Sequence, residues 1–255
     1  MRPLIMKEPI EYIFGKHAVR EVLLMRPDVV REVHAAVDFS TEDILQLAEA
    51  KKIPLKVLNL NNPPRGVSSK AAHQGIVAGI RSDKLTIPYK EFKASLKKED
   101  HTALLVLGEV QDPHNVGAVI RSAAAFGLKG VLIPPHNQAP VTGTVVKVSA
   151  GMAFKIPLVT IPNVNTVLRD LQSDGYWVYG LEGDGTTTTV TEKFSRPSVF
   201  VLGNEGSGLR EKTKEVCDEL ISIPIHPQCE SLNAAAATAI VLASWSAQHS
   251  EALSS

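Results

Sequence analysis

The sequence predicts an α/β fold built on a mostly parallel sheet, preceded by a smaller α/β segment. Three observations carry this. From Ala103 onward, short apolar runs alternate with helical patterns, as in strand–helix–strand units. Several runs, Ala103–Leu107 above all, are apolar at every position, as strands buried on both faces require. Gly, Pro and Asn gather at the ends of the runs, where the chain must turn.

The elements follow in order. His17–Met25 is a helix, with Val19, Val22 and Leu23 at helical spacing. Arg31–Val37 is a strand, and Ser40 or Thr41 caps a helix that runs to Ala50. Leu55–Leu58 and Gly75–Ile80 are further strands. Arg81 to His101 is polar, rich in Lys and Glu and broken by Pro88, and reads as a linker. The domains are therefore 1–80 and 102–255, joined by 81–101. In the second domain, strand Ala103–Leu107 leads through a Pro113-His114-Asn115 turn into a helix that Asn115 caps and Gly127 ends. Strand Gly130–Ile133 follows, then helices near Val141–Ala150 and Val164–Leu171 and strand Tyr176–Leu181. After a Gly183-Asp184-Gly185 turn come strand Ser198–Leu202, helix Leu209–Cys217, strand Leu220–Pro224 and helix Leu232–His249. There is no internal repeat.

Composition excludes several classes. With 255 residues, 44% hydrophobic and 21% charged, the chain is long and apolar enough for a core. Cys217 and Cys229 cannot make a disulfide framework, so a reduced, cytoplasmic protein is expected. Met1–Ile10 has no apolar signal region, and the longest apolar stretch, Ala234–Trp245, is too short to span a bilayer. His226-x-x-Cys229 offers only two metal ligands, so no metal site is expected. No Gly-x-Ser-x-Gly elbow is present. Net charge is zero, but residues 1–100 hold 17 Lys/Arg against 13 Asp/Glu, and the remainder 10 against 14. A cationic front permits a polyanionic partner there, though the bias is mild.

Parallel sheets bind ligands beyond the carboxyl ends of their strands, which singles out the loops after Leu107, Leu202 and Pro224. After Leu107 come Asp112-Pro113-His114-Asn115 and, within the helix, Arg121. Asn115 is either a plain cap or a ligand group. Arg121, near a helix N-terminus, is either a surface side chain or part of an anion site. After Leu202 comes Gly203-Asn204-Glu205-Gly206-Ser207-Gly208, whose glycines allow backbone to approach a bulky ligand. Its spacing is neither a phosphate loop nor a dinucleotide fingerprint, and Glu205 would repel a pyrophosphate. After Pro224, Ser231 is a candidate cap and Asn233 lies in the first turn of an Ala-rich helix.

Together these loops resemble the SpoU-type 2′-O-ribose RNA methyltransferases of the SPOUT superfamily. The carrying motifs are Asp112-Pro113-His114-Asn115-Val116-Gly117-Ala118-Val119-Ile120-Arg121, Val201-Leu202-Gly203-Asn204-Glu205-Gly206-Ser207-Gly208-Leu209, and Ile223-Pro224-Ile225 followed by Ser231-Leu232-Asn233. The resemblance covers residues 103–248. Ile13-Phe14-Gly15-Lys16-His17 and His73-Gln74-Gly75-Ile76 also look like the family's L30e-like substrate-binding domain. That layout is closest to members that methylate a 23S rRNA guanosine.

The resemblance implies a trefoil knot, a homodimer, and S-adenosylmethionine held by backbone around Leu202, Gly203, Ile223 and Leu232. It also implies a catalytic set of Arg121, Asn115, Glu205, Ser231 and Asn233, with Arg121 at its centre. A guanidinium is too basic to abstract a proton, so Arg121 is expected to clamp a phosphate and stabilise a developing alkoxide. Glu205 is expected to orient Arg121 or the nucleotide. Where the family shows Val-Ser-Val, this chain has Ala234-Ala235-Ala236, without the hydroxyl at 235. Lys16, His17, Arg20, Lys70 and His73 are the candidates for RNA phosphate contacts, and with only 5% aromatics extensive base stacking is not expected. The rival readings are a nicotinamide-dependent oxidoreductase, a non-catalytic RNA-binding relative, and tRNA Gm18-type or rRNA adenosine enzymes within the same class.

Overall fold

A computed structural model describes residues 10–37, 41–64, 67 and 73–254. Along the chain run β1 (Ile10–Phe14), α1 (Lys16–Met25), β2 (Val30–Ala35), α2 (Glu42–Ala50), β3 (Leu55–Val57) and β4 (Ile76–Arg81). Then come β5 (Thr86–Pro88), α3 (Tyr89–Ser95), β6 (Ala103–Leu107), α4 (Pro113–Ala125), β7 (Gly130–Ile133) and α5 (Gly143–Val148). They are followed by β8 (Leu158–Thr160), α6 (Val164–Ser173), β9 (Trp177–Leu181) and β10 (Thr187–Thr188). The last are β11 (Ser198–Leu202), α7 (Glu211–Lys214), β12 (Glu219–Ser222) and α8 (Ala234–Gln248).

The chain forms two compact units, Met1–Leu85 with Val141–Lys155, and Thr86–Pro140 with Ile156–Ser255. In the first unit the strand order is β1-β4-β2-β3, with β4 antiparallel to both neighbours and β3 parallel to β2. β4 is central, which is why Ile76–Ile80 is buried throughout and contains no charge. A Cβ on Gly79 would lie 3.0 Å from Ile10 and 3.2 Å from Glu32, so glycine leaves room that a larger residue could take only by shifting the flanking side chains. α1 buries Val19, Val22 and Leu23.

Strands β1, β8 and β10 had no counterpart in the sequence expectations, and the helix expected over Leu209–Cys217 is only the short α7. Two further differences move the domain boundary. The stretch 81–101, expected as a linker, contains β5 and α3, and β5 pairs in parallel with β8 as an edge strand of the second unit. Pro88 misled the reading: an edge strand tolerates proline because one side of its backbone needs no partner. The helix expected near Val141–Ala150 is α5, and it belongs to the first unit. Gly143 N donates to Glu11 Oε2 at 2.6 Å, and Lys155 pairs with Glu21 at 2.8 Å. Val145 and Val146 are its buried residues; a short helical pattern does not say which core it joins.

The second unit is one parallel sheet in the order β10-β12-β9-β11-β6-β7-β8-β5. β6 and β11 sit side by side at its centre, and every residue of both is buried. One face is covered by an aliphatic cluster that includes Leu104, Val106, Leu168, Val199 and Val201. Tyr179, Phe194, Phe200 and Trp245 pack ring on ring with centroids 5.2 to 6.5 Å apart. From β6 the chain builds outward to β7 and β8, then returns to build β9, β11 and β12 on the other side. This reversal makes the β6/β11 seam a switch point, where consecutive loops diverge and leave a crevice. Among the described residues no helix is long and apolar enough to cross a membrane.

Candidate active site at the β6/β11 seam

The seam is closed by glycine. Gly108 N donates to Leu202 O at 2.6 Å, and a Cβ on Gly108 would lie 2.7 Å from that oxygen. The loops after β6 and β11 are thereby held against each other. α4 is capped by Asp112, whose carboxylate accepts from His114 N at 2.8 Å, with Pro113 in the first turn. The cap expected of Asn115 is therefore not observed, and Asn115 is left for another role.

That role is a bridge. Asn115 Nδ2 donates to Glu205 Oε1 at 3.2 Å, and its Oδ1 accepts from Asn233 Nδ2 at 3.0 Å. Asn233, not Ser231, caps α8: its Oδ1 accepts from Ala235 N at 2.9 Å and Ala236 N at 3.2 Å. Because that oxygen faces two backbone donors, the amide nitrogen must face Asn115, which fixes both amide orientations. Glu205 also accepts from Gln111 N at 3.4 Å and Asp112 N at 3.5 Å. Three loops, far apart in sequence, are joined in one polar chain: Glu205, Asn115, Asn233.

Arg121 stands apart from it. α4 begins at Pro113, so Arg121 is about 12 Å along the axis. It lies beyond the first turn, where the helix dipole acts. The N-terminal donors of α4 are moreover taken by Asp112 and Glu205. The anion site expected at this helix start is thus not what Arg121 serves. Among the described residues nothing bonds its exposed guanidinium, including Glu205, which was expected to orient it. It is available to a ligand.

Leu202, Gly203, Ile223 and Leu232, the expected cofactor residues, all line one cavity of about 300 Å³, together with Glu205 and Ser231. Its floor is a tight turn. Asn204 N and Gly208 N each donate to the other residue's carbonyl at 3.0 Å, and a Cβ on Gly203 would lie 2.5 Å from Leu209 N. Asn204 Nδ2 ties the turn to Glu109 O at 2.9 Å. The cavity size suits a small organic ligand, and its glycines expose backbone where side chains would otherwise intrude. Ala234 and Ala237 line the cavity, whereas Ala235 does not. The hydroxyl that the resemblance placed at 235 would not face this space.

One lining residue escaped the sequence reading. Glu182 follows β9, its side chain only 11% exposed. It accepts from Leu209 N at 2.6 Å and pairs with Lys214 at 3.3 Å. Its one sequence mark was its place directly after an apolar strand of the sheet, which does not set it apart from other glutamates. Burial pushes the Cys217 thiol up to about 12, away from the reactive thiolate form.

In the first unit, Lys16, His17 and Arg20 lie on α1, and the 73–76 loop meets its start. Lys16 N donates to Gln74 Oε1 at 3.0 Å, and Gly15 N to Ile76 O at 3.2 Å. Lys16 and His73 therefore flank one corner. Arg20 is 3.7 Å from Asp43, both side chains being exposed, and His73 Nδ1 accepts from Gly75 N at 3.1 Å. Lys70 lies outside the described residues.

The SpoU rRNA Methylase family model matches residues 102–243. The chain is 37% identical over 240 residues to the 23S rRNA (guanosine-2'-O-)-methyltransferase RlmB of Xanthomonas campestris pv. campestris, covering 93% of this chain and 96% of that protein. It is 35% identical over 239 residues to the protein of the same name from Escherichia coli strain K12, covering 91% and 96%. The SpoU methyltransferase AviRb from Streptomyces viridochromogenes in complex with AdoMet shares the fold, with a TM-score of 0.77 at 21% identity, covering 94% of this chain and 90% of that one. All three loops that build the site fall within the matched span, and the chain belongs to the SpoU rRNA methylase family.

Proposed function

We propose that this protein is an S-adenosylmethionine-dependent RNA 2′-O-ribose methyltransferase whose substrate is a guanosine of 23S rRNA. The observation that carries the reading is the cavity. Leu202, Gly203, Ile223 and Leu232 surround it, and Glu205 both lines it and belongs to the chain through Asn115 and Asn233. The relatives' names supply the substrate.

Bound in that cavity, the cofactor supplies an activated methyl group. The protein has to align a ribose hydroxyl with it and favour the hydroxyl's anionic form. Arg121 holds the adjacent phosphate and offsets the charge that develops on the ribose oxygen; it stays protonated throughout. Asn115 fixes the distance between the loops after β6 and β11, and Asn233 fixes the start of α8 against both. Glu205, anchored by Asn115 and the Gln111 and Asp112 amides, sets negative charge on the wall of a cavity that takes a cationic sulfonium. Ser231 offers a hydroxyl on the same wall.

The first unit is assigned RNA binding, through Lys16, His17, Arg20, Lys70 and His73. The C-terminal knot belongs to the same proposal. Its support is the path of the chain: β12 lies between β9 and β10, yet α8 returns to pack on α4, which follows β6. A homodimer working in the cytoplasm completes it. α8 is apolar around its circumference and leaves Ile240 39% exposed, as a helix with a further partner would be.

The test supplies the protein with methyl-labelled S-adenosylmethionine and unmodified 23S rRNA, 16S rRNA or tRNA, followed by alkaline hydrolysis. A 2′-O-methyl group blocks cleavage at its own linkage. Label in an alkali-resistant dinucleotide from 23S rRNA, with guanosine at its 5′ side, is the expected result. Label in tRNA, or at adenosine, reassigns the substrate. No label in any RNA despite cofactor binding indicates a ribosomal particle as the substrate, tested by adding particles to the same assay, or a non-catalytic RNA-binding relative.

A further inference from the structure

We infer that a second cavity beside the catalytic one is a subsite for one nucleotide flanking the methylated one, its base stacked on Arg210; this rests on the RNA-methyltransferase reading above. The cavity, of about 310 Å³, opens at the carboxyl ends of β6, β7 and β8. Its apolar walls include Pro134, Pro162 and Leu209, and its rim carries His136, Arg210 and Lys212. Leu209 directly follows the turn that floors the cofactor cavity, so the two spaces share a wall.

The backbone of this wall is strained in a way that points to use. Glu109 and Asn137, both lining the cavity, adopt left-handed conformations with φ of 72° and 53°. Asn visits this region readily; Glu does so at a cost that glycine would avoid. The two strained residues hold each other, Asn137 Nδ2 donating to Glu109 Oε1 at 3.2 Å. Strain of this kind persists where a side chain is needed at a place its backbone resists.

The Glu109 side chain has a definite task. It takes Arg210 from the side, Nε donating to Oε2 at 3.1 Å and Nη2 lying 2.6 Å from Oε1. The guanidinium is thereby locked in plane, while the Arg210 side chain remains 66% exposed. An exposed, fixed guanidinium plane is a stacking platform for an unpaired base, and the proline faces across the cavity are apolar enough to take its other side. Among the described residues Lys212 Nζ and the His136 ring have no hydrogen-bond or ion-pair partner, which leaves both for a phosphate. Asn204 Nδ2 donates to Glu109 O at 2.9 Å, which links the subsite directly to the turn under the cofactor cavity.

Arg210 then touches RNA, and Glu109 is a positioning residue acting through it. The test measures steady-state kinetics on a 23S rRNA transcript, with calorimetric S-adenosylmethionine binding and thermal unfolding as controls. Arg210→Ala is expected to raise the KM for RNA roughly tenfold, with cofactor affinity and melting temperature unchanged. Arg210→Lys, which keeps the charge and loses the plane, is expected to behave as Arg210→Ala does. Glu109→Gly relieves the left-handed backbone, so its melting temperature should hold or rise while KM for RNA increases and kcat does not fall. Wild-type KM in Arg210→Ala overturns the subsite. So does Arg210→Lys with full affinity, since charge alone then suffices. A wild-type protein that methylates neither the 23S transcript nor ribosomal particles overturns the methyltransferase reading and the subsite with it. Methylation by wild type with unaltered variants overturns the subsite alone.

Discussion

The β6/β11 seam and the α1 corner of the first unit hold their polar residues in opposite ways. At the seam, Glu205, Asn115 and Asn233 spend their side-chain atoms on one another and on backbone at the starts of α4 and α8. At the α1 corner, Lys16 is half-buried and His17 and Arg20 are exposed, and Arg20 pairs with Asp43 only loosely, at 3.7 Å between two exposed side chains. The difference follows from the tasks proposed for them. Methyl transfer needs atoms placed to fractions of an ångström, and such placement must be enforced by bonds made before the substrate arrives. Holding a phosphate backbone needs charge at roughly the right distance, and long solvated side chains supply it.

The strongest way to break the seam is Gly203→Ala. A Cβ 2.5 Å from Leu209 N has no room, so the turn must open. We expect overpacking to destabilise by about 1–3 kcal/mol, with S-adenosylmethionine binding lost in calorimetry. Arg121→Ala should lower kcat by about 10²–10³-fold with cofactor affinity intact, because no described residue depends on that guanidinium. Loss of cofactor binding with transfer retained would show that Arg121 has been given the wrong role.

Asn115→Ala cuts the bridge while leaving the Asp112 cap of α4 in place. A fall in kcat of roughly 10²-fold from misplaced loops, with a stability loss of only about 0.5–1.5 kcal/mol, would separate positioning from folding; equal kcat in the variant would remove the bridge from the mechanism. On the other side of the comparison, Lys16→Ala and Arg20→Ala should each weaken RNA binding uniformly across sequences. Each should also lower the salt slope of binding by about 1. A sequence-selective loss would mean that the α1 corner reads bases after all. The smallest effect is expected for Ala235→Ser, which restores the hydroxyl implied by the resemblance at a position outside the cavity lining. Its kcat and cofactor affinity should match wild type.

Much of the seam was legible before any coordinates. The strands that reach it are continuous apolar runs, and parallel α/β architecture sends their carboxyl-end loops to one edge. The strand ends pointed to the loops, but it was the SpoU resemblance that singled out Leu202, Gly203, Ile223 and Leu232, which line one cavity. The capping assignments were the part that went wrong. Asn115 and Ser231 are good cap residues by type, but Asp112 and Asn233 were already placed to cap. Propensity ranks candidates for one local bond; it cannot tell which of two neighbours a distant loop will claim. Glu182 and the strained Glu109 were missed for a related reason. A single Glu after a strand is unremarkable until its partners, Lys214 and Arg210, are known.

The sequence by itself determined the centre of the layers: the fully apolar strands β6 and β11 with β7 and β9 beside them, the helices α4, α6 and α8, and the glycine-rich turns at the strand ends. Those follow from periodicity, burial and backbone sterics, which act over a few neighbouring residues. Only the tertiary structure decided that α5 belongs to the first core, that the expected linker is a sheet edge, and that Asn115 bridges instead of capping. Each of these depends on which groups, far apart in the chain, meet when the sheet closes. A polar side chain takes whichever partner the packed backbone brings within reach, and sequence distance plays no part in that choice.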